Sequence, residues 1–290
     1  MSTKTLVILF IVILISTPAI WFLLRKNADL SGIGDLITTT SPTSSPTTTP
    51  EASVSPGEKN IIVFSPKPGD KVESPLTVKG RARVFENTFA YILKDAKGNE
   101  IYKDHAMANA PDVGQYGDFE VKIPIPLQAG GSEVTLEVFD YSAKDGSVEN
   151  LVSIPLQVIT KESMEINVYF TNNKLDPAVS CTKVFPIKKQ ILKTREVAFM
   201  SLFELIQGPN MAELGEGYDT SISGQTGINS VTIKNGTAYV DFDENLEYGI
   251  AGSCKVTAIR SQVEATLKQF SSIKNVVISV NGRTEDILQP

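Results

Sequence analysis

Ser230-Val231-Thr232-Ile233-Lys234-Asn235-Gly236-Thr237-Ala238-Tyr239-Val240-Asp241-Phe242 decides how the C-terminal part of the chain folds. Two alternating runs, Ser230 to Lys234 and Thr237 to Phe242, flank Asn235-Gly236. A type I′ turn needs positive φ at both central residues, and Asn-Gly meets that need at least cost, so the stretch predicts a β-hairpin. Working outward, Arg195 to Gln207 changes to a helical period. Ala198, Leu202 and Leu205 fall on one side, with Phe199, Phe203 and Ile206 beside them. Thr194 is the expected N-cap and Gly208-Pro209 the stop. Val256, Ile259, Val263, Leu267 and Phe270 predict a second helix, capped by Ser253. Glu165 to Phe170, Val184 to Ile187 and Val276 to Val280 read as strands, the last closed by Asn281-Gly282. Residues 161–290 thus predict an α+β domain in the order β-β-α-β-β-α-β, with two helices on one face of a small sheet.

Residues 60–160 carry no helical period. Short apolar or alternating runs stand at Ile61 to Phe64, Leu76 to Val84, Phe89 to Leu93, Ile101 to Asp104, Phe119 to Ile123, Val134 to Phe139 and Leu151 to Val158. Phe119-Glu120-Val121-Lys122-Ile123 alternates strictly, as a half-buried antiparallel strand does. Seven such strands with turn signals between them predict a β-sandwich. Pro124, Pro126 and Pro155 are expected at edges or strand ends, because proline donates no ladder hydrogen bond.

The N-terminal segment is different in kind. Leu6 to Leu24 holds no charge over 19 residues, which as a helix spans about 28 Å, close to the thickness of a bilayer core. Lys4 precedes it, and Trp21 with Arg25-Lys26 closes it. Thr17-Pro18-Ala19 is a poor cleavage site, so an uncleaved anchor over residues 1–27 is expected rather than a signal peptide. Residues 28–59 follow as a linker. Thr38 to Pro56 is almost wholly Ser, Thr and Pro, a composition that cannot bury a core.

The formal net charge is −6, with 41% hydrophobic and 21% charged residues. That balance suits globular folding. Without a long basic run there is no patch to displace phosphate counterions, so nucleic acid is not an expected partner. No cofactor is implied.

Individual residues that invite a chemical reading have simpler ones. His105 is the single histidine and stands beside Asp104. Neighbours on a strand point to opposite faces, so the two are not expected to meet as a proton-transfer pair. Asp241-x-Asp243-x-Asn245 mimics the start of a calcium loop, but Leu246 stands where that loop needs glycine. Asn235-Gly236-Thr237 is formally a glycosylation sequon and is already explained as a turn. Cys181 and Cys254 leave three readings: a disulfide, two core thiols, or half a metal site. A metal needs about four ligands and this domain has no histidine, so in an extracytoplasmic setting the even count favours a bridge. No catalytic residue and no metal ligand is assigned, and the binding residues are not identified.

Two family resemblances lie in these residues. Ser65-Pro66-Lys67-Pro68-Gly69-Asp70-Lys71-Val72, then Ser74-Pro75-Leu76-Thr77-Val78-Lys79-Gly80-Arg81-Ala82, resemble the immunoglobulin-like domain of bacterial spore germination. Phe85-Glu86, the turn from Asp95 to Gly98, Gly117-Asp118-Phe119 and the turn from Ser142 to Gly146 fit the same pattern. Val168-Tyr169-Phe170, Leu205-Ile206-Gln207-Gly208-Pro209, Gly236 to Phe242 and Val276 to Gly282 look like the GerMN domain of sporulation and spore germination proteins. The cysteine pair is not part of that general pattern. The resemblances imply a binding or spacing role without a catalytic motif, exerted through assembly or contact with envelope proteins.

The expectation is a single-pass protein of the bacterial cytoplasmic membrane, its two C-terminal domains extracytoplasmic and non-enzymatic. Envelope proteins, cell-wall glycans or further copies of the chain are the expected partners. A cell-wall hydrolase with paired carboxylates and a solute-binding protein with a deep interdomain pocket are the alternatives.

Overall fold

A computed structural model describes residues 59–289. The expected anchor and the Ser/Thr/Pro-rich linker lie outside the described residues, apart from Lys59. Among the described residues no helix is long and apolar enough to cross a membrane.

The described part of the chain is multidomain and mostly β, with few helices. Its first part holds β1 (Ile61–Ser65), β2 (Lys71–Val72), β3 (Leu76–Ala82), β4 (Thr88–Asp95), β5 (Glu100–Met107), β6 (Gly117–Ile123), β7 (Glu133–Tyr141) and β8 (Val148–Val158). They form a three-stranded sheet, β1-β3-β6, and a five-stranded sheet, β2-β8-β7-β4-β5. The inner faces meet through Val78, Phe89, Leu93, Phe119, Ile123, Leu136 and Ile154, all buried. Phe119 and Phe89 stack with centroids 4.3 Å apart, and the Phe119 ring lies so close over β3 that a Cβ at Gly80 would stand 2.4 Å from it. That close approach is why glycine sits mid-strand there.

The seven expected strands are present, joined by the two-residue β2, which is too short to leave a periodic signal. Pro124 and Pro126 follow β6 directly. Pro155 lies inside β8, where its carbonyl accepts from Gly69 N at 2.7 Å. A strand residue's N and O point to the same side, so the missing donor of Pro155 faces the flank that β2 does not reach, since β2 pairs only with Gln157 and Val158.

The second part holds β9 (Ser163–Asn172), β10 (Phe185–Leu192), α1 (Val197–Gln207), α2 (Met211–Gly215), β11 (Tyr218–Asp219), β12 (Ile228–Lys234), β13 (Thr237–Phe242), α3 (Ser253–Lys268) and β14 (Asn275–Val280). The hairpin is where its sequence puts it, with Asn235 at φ 48° and Gly236 at φ 76°. β14 then joins β13 in parallel through the α3 crossover.

One sheet was expected here, and there are two: β10-β9-β11 and β12-β13-β14. The reason lies on α3. Asn167 of β9 gives its N–H to Gln269 Oε1 at 2.8 Å and its carbonyl receives Gln269 Nε2 at 2.6 Å. Tyr169 N donates to Thr266 Oγ1 at 3.1 Å. Helix side chains thus take the place of a neighbouring strand along this edge. Thr266 and Gln262 are fully buried, and Gln262 serves Ser221 N and Thr220 Oγ1 in the same way. Buried polar groups require such partners.

Both expected helix caps are corrected. α1 starts at Val197 after Glu196, without a side-chain cap. Thr194 Oγ1 instead accepts from Glu196 N at 3.0 Å, in the turn before the helix. α3 starts at Ser253 itself, with Gly252 as cap at φ 87°. A glycine at positive φ turns the chain sharply enough that Ser253 is already helical. The Gly208 stop holds, at φ 73°.

The two parts share a packed joint within one compact unit. α1 is apolar around most of its circumference, as a helix buried on several sides must be. Leu202 and Leu205 are fully buried in its own domain's core. Phe203 reaches the Tyr102 ring of β5, with centroids 5.8 Å apart. Leu192, at the end of β10, is buried among the core residues of the sandwich.

Candidate interaction surfaces

The joint fills the space where a two-domain binding protein would keep a cleft. Ser74 Oγ lies 3.7 Å from Met200 Sδ, both buried. Lys122 pairs with Glu196, and its Nζ stands 5.5 Å from the Phe199 ring centroid. The cation therefore sits between a carboxylate and an aromatic face.

Two open grooves lie on the sandwich, neither at the joint. One, of about 670 Å³, runs between the Gly69 turn and the Asp95 to Gly98 turn, floored by Thr135, Glu137 and Pro155. The other, of about 580 Å³, is walled by Phe85 and Tyr141, floored by Phe89 and Ala90, and rimmed by Lys103, Asp104 and His105.

His105 and Asp104 do meet, contrary to expectation. Asp104 Oδ1 accepts from the backbone N–H of His105 at 2.8 Å and lies 3.4 Å from its Nδ1. On an open sheet edge a short carboxylate can fold back along its own strand. Tyr102 donates to Asp104 Oδ2 at 3.1 Å. Burial, then the charge of Asp104, pushes the Tyr91 and Tyr102 hydroxyls far above their ordinary range. Asp104 is thereby spent as an acceptor for neutral donors, and the His105 side chain is 72% exposed.

The other sequence candidates are structural. Asp241 Oδ1 accepts from Ser279 Oγ at 2.6 Å and Gly282 N at 2.7 Å, fixing the end of β14. Asp243 accepts from Asn245 N at 3.1 Å, capping a short turn of helix. Cys181 and Cys254 are joined in a disulfide with Cα atoms 5.2 Å apart. It ties the loop between β9 and β10 to the first turn of α3. That loop holds Val179 at φ 50° and Cys181 at φ 65°, conformations that L side chains adopt at a cost.

Sequence reading missed a half-buried charge cluster on β10, α1 and α2. Lys189 lies in the inward row of β10, between Ile187 and Ile191, at an open sheet edge. An inward-pointing charge in that position discourages strand addition. Its Nζ is 2.8 Å from both oxygens of Glu213, and both side chains are largely covered. Glu213 Oε2 also accepts from Asn210 N at 2.7 Å and completes a capping box that starts α2. Burial raises the Glu204 carboxyl above its usual range; Lys189 opposes that rise and Glu213 adds to it. The Asn210-x-x-Glu213 spacing was a legible signal of this cap. Its inward lysine was not.

Residues 60–147 match the family described as the immunoglobulin-like domain of bacterial spore germination, and residues 167–286 match the family described as sporulation and spore germination. The chain therefore carries an immunoglobulin-like module of the spore-germination kind followed by a GerMN module. Among solved structures it is similar to the tandem GerMN domains of the sporulation protein GerM from Bacillus subtilis, at 25% identity and a TM-score of 0.36, over 44% of this chain and 43% of that one. The first GerMN domain of the same protein is 26% identical at a TM-score of 0.34, over 42% of this chain and 85% of that one. A putative lipoprotein from Clostridium perfringens is 18% identical at a TM-score of 0.27, over 42% and 76%. The chain thus spans less than half of the tandem-domain structure. No curated protein matches it.

Proposed function

We propose that this chain is a non-enzymatic interaction module of a bacterial cell envelope with a role in sporulation or germination. Leu6 to Leu24 anchors it in the cytoplasmic membrane, residues 28–59 space it from the surface, and the two domains stand outside. One observation carries the reading. Tyr102, Phe203, Ser74, Met200 and Leu192 pack the joint where a solute-binding protein would hold its ligand. What remains for recognition is surface. The disulfide fits an oxidising compartment, and the two matched families supply the sporulation and germination context.

For the hydrolase reading, Glu204 and Glu213 are two neighbouring, largely covered carboxylates among the described residues. Glycoside hydrolysis needs two carboxylates facing a cleft. Both oxygens of Glu213 are held by Lys189, and neither residue lines either groove described above. Glu213 serves to seat α2.

Crosslinking of the full chain in native membranes, followed by recovery and mass spectrometry, tests the reading. Envelope polypeptides, wall fragments or copies of the chain are expected on the two domains. Turnover of peptidoglycan by the purified chain, lost on Glu204→Gln with folding intact, would overturn it.

A further inference from the structure

Two Asn-Gly pairs stand in the second domain on matched turns. Asn235-Gly236 joins β12 to β13. Asn281-Gly282 follows β14, and there Val280 and Arg283 exchange backbone hydrogen bonds at 2.9 and 3.0 Å. Both pairs have φ 48° at asparagine and φ 76° at glycine. Both asparagines are exposed. Dipeptide, backbone and solvent access therefore do not separate them. Their partners do.

Asn281 is held on both sides of its amide. Its Nδ2 donates to Glu244 Oε2 at 2.9 Å, and its Oδ1 accepts from Asn229 Nδ2 at 3.2 Å. The first of these bonds is the leading cause that keeps the Glu244 carboxyl below its ordinary range. The Gly282 N–H in turn donates to Asp241 Oδ1 at 2.7 Å.

Asn235 has none of these restraints. Neither its side-chain amide nor the Gly236 nitrogen has a hydrogen-bond partner among the described residues. Two lysines stand close by. Lys234 precedes it, and the Cγ of Lys274 lies 3.7 Å from where a Cβ on Gly236 would stand. Neither lysine forms an ion pair among the described residues. Positive charge nearby favours a deprotonated backbone nitrogen, and any carboxylate formed there, because both are anions. Asp241 and Glu244 act in the opposite sense at Gly282.

We propose that Asn235 is a self-modification site, at which the chain deamidates through a cyclic imide. The Gly236 nitrogen attacks Asn235 Cγ, and the approach is open because glycine carries no Cβ. The new N–C bond closes a five-membered succinimide. The side-chain amide departs as ammonia and takes up the proton that the Gly236 nitrogen loses. Water then opens the ring. Cleavage at Cγ leaves aspartate, and cleavage at the main-chain carbonyl leaves isoaspartate, whose backbone is longer by one carbon. Water is the only co-reactant, and either product sets a new negative charge beside Lys234 and Lys274.

The consequence falls on the join to β14. The Gly236 carbonyl accepts from Lys274 N at 2.7 Å and from Asn275 N at 3.1 Å, where β14 comes in beside β13. A two-residue turn matched to its strands has no slack for an added atom. Isoaspartate therefore shifts that carbonyl and loosens this end of the sheet. Elapsed time becomes a covalent change in the second domain, whatever the domain contacts.

The test follows the full chain in native membranes, incubated at mildly alkaline pH, sampled over time and digested under acidic conditions. Mass spectrometry reads the exchange of amide for acid at each pair. Conversion at Asn235 should run at least tenfold faster than at Asn281. In chain denatured before incubation the two should react at similar rates, since the dipeptide is the same. Asn229→Ala frees one side of the Asn281 amide and should raise its rate while leaving Asn235 unchanged. Isoaspartate at position 235 should quicken amide exchange at Lys274 and Asn275, whereas Asn235→Asp, which adds the charge without the extra carbon, should not. Equal rates at the two pairs in the folded chain, or a faster rate at Asn281, would overturn the assignment. So would an unreacted Asn235 in folded chain under conditions where the denatured chain converts.

Discussion

Ser74 of the sandwich and Met200 of α1 lie with Oγ and Sδ 3.7 Å apart, both buried, and the same hydroxyl accepts from Ile125 N at 3.0 Å. A residue that closes the end of one domain thus touches the helix at the centre of the other. The joint is a continuation of both cores.

Leu192 makes that continuity measurable. It belongs to β10 but is buried among sandwich residues, next to Gly130. Leu192→Ala should cost about 3 kcal/mol, as a large-to-small change in a packed core does. Hydrogen exchange should quicken in the sandwich, at Ala129 to Val134, as well as in β10. Faster exchange confined to the second domain would mean that the joint carries no energy.

The disulfide closes a separation of 73 positions. Replacing both Cys181 and Cys254 with Ser should lower stability by roughly 4 kcal/mol in the chain-entropy treatment. Equilibrium denaturation of oxidised wild type against the double variant reads this directly. The loop between β9 and β10 should lose its protease resistance first, because its residues at positive φ are held by the bridge.

Gln269 serves as a substitute strand for β9. Gln269→Ala strips partners from both Asn167 N and Asn167 O, which should cost about 1–3 kcal/mol if neither regains a partner. Thermal melts check the size, and exchange at Asn167 checks the site.

Glu204 supplies a pH signature with a definite sign. Burial first raises its carboxyl above the ordinary 4.5, with Lys189 opposing and Glu213 reinforcing. The folded chain therefore keeps a proton that the unfolded chain has already lost, and stability falls as pH rises from about 4.5 through the folded value. Glu204→Gln has no such proton. It should melt close to wild type at pH 4 and above it at pH 8, and equal differences at both values would contradict the burial.

Much of this architecture is legible in the chain because its periods are strong. The Asn235-Gly236 hairpin, the α1 and α3 repeats and the Phe119 to Ile123 alternation each follow from local sterics and one buried face. What escapes depends on partners far away in sequence. β2 and β11, two residues each, exist only through pairing with β8 and β9. The split into two sheets depends on Gln262, Thr266 and Gln269, polar residues that a hydrophobic period reads as solvent-facing. Lys189 looks like an ordinary surface lysine until Glu213, 24 positions on, is folded over it. With Glu213 turned to Lys189, Met211 and Leu214 of α2 stand exposed.

The placement of both domains outside the membrane can be tested at Thr232, exposed on the outer side of β12. In an otherwise native full chain, whose two cysteines are bonded to each other, Thr232→Cys supplies the one reactive thiol among the described residues. Spheroplasts treated with a membrane-impermeant maleimide should give complete modification at that position before any lysis. Modification only after the membrane is permeabilised would place the domains inside and contradict an envelope interaction module.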